Sequence, residues 1–87
     1  MSNFKKEFGE LYRVVIKPAL ISKEYKSISS IIVGITSMNK KSIRYDPNSQ
    51  EDLELLNLLC LLDGEIKHKS EPSLAVIRNI ESFLKYV

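Results

Sequence analysis

Residues 53–62 read LELLNLLCLL, ten positions of which seven are leucine and one is cysteine. Such a segment is apolar on nearly every side of a helix, so it predicts the central and most buried element of the fold, with Leu58 and Cys60 in the core. It has about half the length that a helix needs to span a bilayer. Ser49, followed three residues later by Asp52, is typical of a helix start, and Gly64 is placed to end this helix.

Near the N-terminus, apolar residues recur every three or four positions, at Phe4, Phe8, Leu11 and Val15. This spacing predicts one face of a helix. Proline disfavours the helical conformation of the residue before it, so Pro18 predicts that this first helix ends or bends at Lys17.

A second apolar series with helical spacing follows, at Tyr25, Ile28, Ile31, Ile32, Ile35 and Met38. It predicts a second helix with a polar opposite face. The same region is rich in β-branched residues, so the alternative is a strand over 28–36 that pairs with residues 42–45 as a hairpin. We favour the helix because the apolar stripe is regular and strand propensity depends strongly on context.

Beyond Gly64, residues 65–69 predict a polar connection, and Ser70-Glu71-Pro72 predicts the start of a last helix. That helix is expected to bury Leu74, Ile77, Ile80, Phe83 and Leu84. Four helical segments with short connections predict one all-α domain over residues 1–87, a small antiparallel bundle of about four helices. The alternative is an α+β fold with a hairpin at 28–45.

The sequence offers little for catalysis or metal binding. Its single histidine, His68, lies between two lysines in a predicted loop, and its single cysteine, Cys60, lies in the predicted core. One histidine and one cysteine cannot complete a tetrahedral metal site, and nothing places a base beside a nucleophile. The three glycines are isolated and form no phosphate-binding loop. We therefore predict a protein that is not an enzyme and has no metal and no cofactor.

Charge is distributed unevenly along the chain. Residues 1–45 carry nine basic and three acidic side chains, a net charge of +6, whereas residues 46–87 carry four basic and eight acidic ones, a net charge of −4. If the first two helices lie side by side, their polar faces form a basic patch to which Lys23 and Lys26 contribute. The candidate partner-binding residues are Lys6, Arg13, Lys17, Lys40, Lys41 and Arg44. The alternative is that the two halves neutralise each other within the fold.

By elimination, the favoured hypothesis is a small protein-binding protein of inhibitor, immunity or antitoxin type, which acts by stoichiometric binding of a partner protein. The predicted loop over 63–70 is a second candidate surface, although Ile66 in it is expected to close over the core. The alternative function is a nucleic-acid-binding module in which the basic residues contact phosphates and bases stack on Tyr12, Tyr25 and Tyr45.

The sequence also indicates a compartment and an oligomeric state. No uninterrupted apolar segment follows the N-terminus and the only cysteine is unpaired, so we expect a cytoplasmic protein without a membrane span. A bundle this small gains stability by dimerising, and Val87 continues an apolar stripe, so a homodimer is a further hypothesis.

Overall fold

A computed structural model describes residues 3–37 and 43–84, and every regular element within them is helical. These elements are α1 (Phe4–Leu11), a π-helical segment (Tyr12–Ile16), α2 (Lys17–Ile21), α3 (Tyr25–Thr36), α4 (Gln50–Lys69) and α5 (Leu74–Leu84). The first three are continuous and form one helical run, so the described residues contain four helices in all: this first run, α3, α4 and α5. This confirms the predicted small all-α bundle. The hairpin alternative is wrong because 28–36 is helical and 43–45 forms no strand.

The first helical run does not end at Lys17, so of the two predicted outcomes there, an end or a bend, the end is wrong. Lys17 keeps helical dihedral angles, and its N–H donates to the carbonyl of Tyr12, five residues back. Proline cannot donate a hydrogen bond, and its ring would clash with the carbonyl four residues earlier in a regular α-helix. The wider turn of the π segment accommodates Pro18 near the start of α2, so the helix changes its winding rather than stopping.

The π segment also changes which residues of this run are buried. The core contains Phe4, Phe8, Tyr12, Ile16 and Ala19. Four-residue steps drift around an α-helix of 3.6 residues per turn, and the wider π turn takes up this drift. The predicted face is confirmed at Phe4 and Phe8, and Leu11 is partly buried against the core, but the prediction is wrong at Val15, which is 39% exposed.

A tight turn connects α2 to α3. Lys23 adopts the left-handed conformation at φ 61°, the Glu24 N–H donates to the Ala19 carbonyl, and the Lys23 N–H donates to the Leu20 carbonyl. This is the Schellman pattern that satisfies the last carbonyls of a helix. It turns the chain so that α3 packs on α2 and α4, where the Ser29 hydroxyl donates to the Asp63 carboxylate.

The start of α4 is built as predicted, with one difference. Ser49 caps the helix by accepting a hydrogen bond from the Asp52 N–H. The difference lies in the Ser49 N–H, which donates to the Asp46 carbonyl, while the Asp52 carboxylate accepts from the N–H of Asp46 at 2.7 Å. Asp52 is buried, and its hydrogen bond from Asp46 holds the preceding connection against the first turn of α4.

Helix α4 is longer and less buried than predicted. It passes through Gly64, so the predicted end there and the predicted loop over 63–70 are wrong. Its buried face carries Leu55, Leu59 and Leu62, whereas Leu58 is only partly buried. Cys60 is exposed, contrary to the prediction. No helix in the described ranges, α4 included, is long and apolar enough to cross a membrane.

The turn between α4 and α5 is held by a side chain of α4. Ser70, in the left-handed conformation, ends α4, and α5 begins after Ser73 rather than after Ser70. The Glu65 carboxylate accepts from the Ser73 N–H at 2.6 Å and from its hydroxyl at 3.1 Å. The bond from the Ser73 N–H lowers the pKa of Glu65. Ile66 packs against the core, as expected.

Candidate functional site

A broad open groove of about 1110 Å³ runs between the first helical run and α5, and the start of α4 contributes to one wall. We call it the basic groove. Its charged lining consists of the bases Lys5, Lys6, Arg13, Lys17 and Arg78 and the acids Glu10, Glu51 and Glu81. Basic side chains from the first helical run and from α5 therefore meet on one concave surface.

The groove brings together half of the predicted site residues. Lys6, Arg13 and Lys17 line it, whereas Arg44 is exposed outside it. Lys40 and Lys41 lie outside the described residues. Lys23 and Lys26, expected to contribute to the same patch, are exposed but do not line the groove.

Glu81 is held by two partners at the floor of the groove. The Tyr12 hydroxyl donates to its Oε2 at 2.6 Å, and the Nζ of Lys17 lies 3.2 Å from the same oxygen. The hydrogen bond from Tyr12, followed by the proximity of Lys17, lowers the pKa of Glu81. Burial, and then the hydrogen bond to Glu81, raises the pKa of Tyr12. The cluster ties the π segment to α5 and gives Lys17 an ion-pair partner within the fold.

Lys5 is also engaged within the fold. Its Nζ lies 3.6 Å from the carboxylate of Glu51 and 4.9 Å from the centre of the Phe83 ring. A cation over an aromatic face is attracted by the ring quadrupole. The Lys5–Glu51 and Lys17–Glu81 pairs each join a base of the first half of the chain to an acid of the second half. For these two lysines, the alternative that the two halves neutralise each other within the fold therefore holds.

Three bases of the groove remain without an ion pair to another described residue: Lys6, Arg13 and Arg78. Lys6 and Arg13 are exposed on the first helical run, and Arg78 is exposed on α5. Among the carboxylates of the groove, Glu51 and Glu81 are paired, and Glu10 makes no ion pair with another described residue. Arginine presents a planar fork that matches a carboxylate or phosphate. The groove is therefore suited to an anionic group.

Sequence reasoning did not find Arg78. The signal was present, because Arg78, Glu81 and Ser82 recur at helical spacing opposite the apolar stripe of the last helix. Assigning them to the same surface as Lys6 and Arg13 requires knowing that α5 lies beside α1, which the structure supplies.

The cluster of Tyr12, Lys17 and Glu81 predicts a specific pH dependence. A lowered pKa of Glu81 in the folded state contributes stability above its ordinary value near 4.5, and this stability is lost as the pH falls through the folded-state pKa. We expect Glu81→Gln to lower the free energy of unfolding at pH 7 by about 1 kcal/mol, since the carboxylate is partly exposed and screened. The difference from the unmodified protein should shrink below about pH 4.5.

Urea unfolding followed by circular dichroism at pH 7 and pH 3 measures this dependence. Glu10→Gln, which removes a carboxylate from the same groove without breaking such a cluster, is the matched control and should change stability little at either pH. A difference between Glu81→Gln and the unmodified protein that is the same at both pH values would contradict the assignment.

Other groups of the described chain form no second candidate site. His68 is exposed in the last turn of α4, and Cys60 is exposed in the middle of the same helix. Within the described residues, no three His, Cys, Asp or Glu side chains are grouped to hold a metal ion. Tyr25 and Tyr45 pack against the core and Tyr12 is buried, so these rings are not exposed platforms for bases.

Comparison of the chain with protein-family models, with curated proteins and with solved structures gives no match.

Proposed function

We propose that this chain is a non-catalytic binding protein whose basic groove takes an acidic segment of a partner protein. The observation that carries the proposal is the convergence of Lys6, Arg13 and Arg78 on one groove without an ion pair to another described residue. Exposed charges that are arranged on one surface steer an oppositely charged partner and fix its register. Inhibitors, immunity proteins and antitoxins act by stoichiometric binding of a partner, and we propose a role of this type for the chain.

Two observations favour a protein partner over nucleic acid. The groove contains the carboxylates of Glu10, Glu51 and Glu81, which would repel a row of phosphates. Interfaces with nucleic acids are much more positively charged than those with proteins. Tyr12 is buried beneath the groove and hydrogen-bonded to Glu81, so it offers no stacking face to an unpaired base. A mixed-charge groove fits a protein surface that carries charges of both signs.

The test is capture of partners from lysate of the source organism on the tagged protein, with and without nuclease, followed by mass spectrometry. We expect one stoichiometric protein that resists nuclease. Arg13→Glu should reduce its recovery about tenfold or more, because it reverses a charge in the groove. Arg44→Glu makes the same change of charge at an exposed position outside the groove and should retain the partner.

Circular dichroism of both variants establishes that they are folded. Equal recovery of the partner with Arg13→Glu and Arg44→Glu would overturn the groove as the binding site. Recovery of nucleic acid, with companions released by nuclease, would favour the nucleic-acid alternative.

A further inference from the structure

An apolar row lies on the outer surface of the first helical run. Val14 is 68% exposed, Ile21 is 76% exposed, and Pro18 between them is exposed as well. We call these three residues the apolar row. Single exposed apolar side chains are ordinary on protein surfaces. Here the three recur at intervals of four and three residues, which places them on successive turns along one side of the run.

The apolar row borders the basic groove. Arg13 and Lys17 line the groove and each directly precedes a member of the row, Val14 and Pro18. Neighbouring residues are separated by about a quarter of a turn around a helix, so basic and apolar side chains form two adjacent lines along the same run. The π segment contains both Arg13 and Val14 and turns both of them outward.

We propose, building on the proposed function, that the partner segment is an amphipathic helix with an acidic line and an apolar line on adjacent faces. Its carboxylates would contact Lys6, Arg13 and Arg78 in the groove, and its apolar side chains would cover Val14 and Ile21. The acidic line of the partner helix complements the positive charge of the groove. Its apolar line would remove the exposed apolar row from water.

The fold favours a helical ligand over an extended one. An extended peptide that binds by strand addition gains its affinity from main-chain hydrogen bonds to the edge of a sheet, and the described residues contain no strand. The backbone groups of the first helical run are used within the helix, so an extended peptide would leave its own unpaired. A helix satisfies its backbone internally and binds through side chains at intervals of three and four, which matches the apolar row and the interval between Arg13 and Lys17.

Two designed peptides of identical composition test the proposal, each of about 18 residues so that a helix can form. Both contain glutamate, leucine, alanine and glutamine. In the segregated peptide, glutamates and leucines occupy adjacent helical faces, and in the permuted peptide they are mixed around the helix. Fluorescence anisotropy of the labelled peptides with the full chain measures affinity. We expect the permuted peptide to bind about tenfold more weakly or worse.

Two variants form a matched pair for the apolar row. Val14→Ser removes an apolar side chain from the row and should weaken binding of the segregated peptide about tenfold. Val33→Ser makes the same change at a partly exposed position on α3 outside the groove and should leave the affinity unchanged. Both valines are exposed, so both variants should fold, and their melting curves verify this.

The outcomes separate this inference from the proposed function. Equal binding of both peptides, unchanged by Val14→Ser but weakened by Arg13→Glu, would overturn the amphipathic helix and leave the acidic partner in place. Binding that is insensitive to Arg13→Glu would overturn both proposals. Absence of binding by the segregated peptide would overturn the inference, as would preferential binding to vesicles of phosphatidylcholine and phosphatidylserine.

Discussion

Leu59→Ala is expected to lower the free energy of unfolding by about 3 kcal/mol, whereas Leu61→Ala should change it by less than about 0.5 kcal/mol. The two leucines lie two positions apart in α4. Leu59 is fully buried in the core, whereas Leu61 is 55% exposed. Truncation of a buried leucine loses its transfer free energy and leaves a cavity, whereas truncation of an exposed one loses little of either.

Urea unfolding of both variants, followed by circular dichroism at 222 nm, measures the difference. Because the residue type, the helix and the substitution are the same, helix propensity cancels between the two variants. Similar losses at both positions would show that the face of α4 carrying Leu61 is covered in solution. The burial pattern described above would then be incomplete.

Asp52→Ala is expected to destabilise the chain by about 2 kcal/mol. The Asp52 side chain is 1% exposed, and its Oδ2 accepts the N–H of Asp46 at 2.7 Å. Alanine would leave that N–H without its acceptor and would remove a negative charge from the first turn of α4, where the helix dipole favours one. Asp52→Asn keeps an oxygen acceptor and should lose about half as much.

Thermal and urea unfolding of these variants are compared with those of Glu54→Ala. Glu54 is an exposed acid near the same helix end and should contribute little. The predicted order of loss is Asp52→Ala, then Asp52→Asn, then Glu54→Ala. If Asp52→Ala proved no more harmful than Glu54→Ala, the buried hydrogen bond would not hold the connection before α4.

The sequence predicted the helices well where local signals agreed with packing. The isoleucine stripe of α3 and the Ser49 cap of α4 are both observed. Gly64 misled because glycine costs a helix interior only about 1 kcal/mol relative to alanine. Continuation to Lys69 allows Ile66 to pack on the core and forms the pairs Lys67–Asp63 and Lys69–Glu65. These contacts depend on the helix continuing and cannot be read from the glycine itself.

The candidate site was predictable only in part, because some of its contacts depend on how the helices pack. Lys6, Arg13 and Lys17 share one helical run, so their spacing alone places them near each other. Arg78 joins them through the packing of α5, and Lys17 is paired with Glu81 by that same packing. Spacing along the chain carries no information about either contact. An apolar period of 3.6 likewise gives no sign of a π turn, which places Tyr12 and Ile16 in the core and leaves Leu11 partly buried and Val15 exposed.

The π segment has a consequence for how this chain is compared with others. A single residue inserted into an α-helix can be absorbed as one wide turn, with the apolar faces on both sides kept in place. A related chain that lacks Pro18 could form the same bundle with one residue fewer between Tyr12 and Ile16. An alignment that permits gaps only in loops would then shift every later position of the first run by one. It would place the exposed Val15 opposite the core residue that corresponds to Ile16.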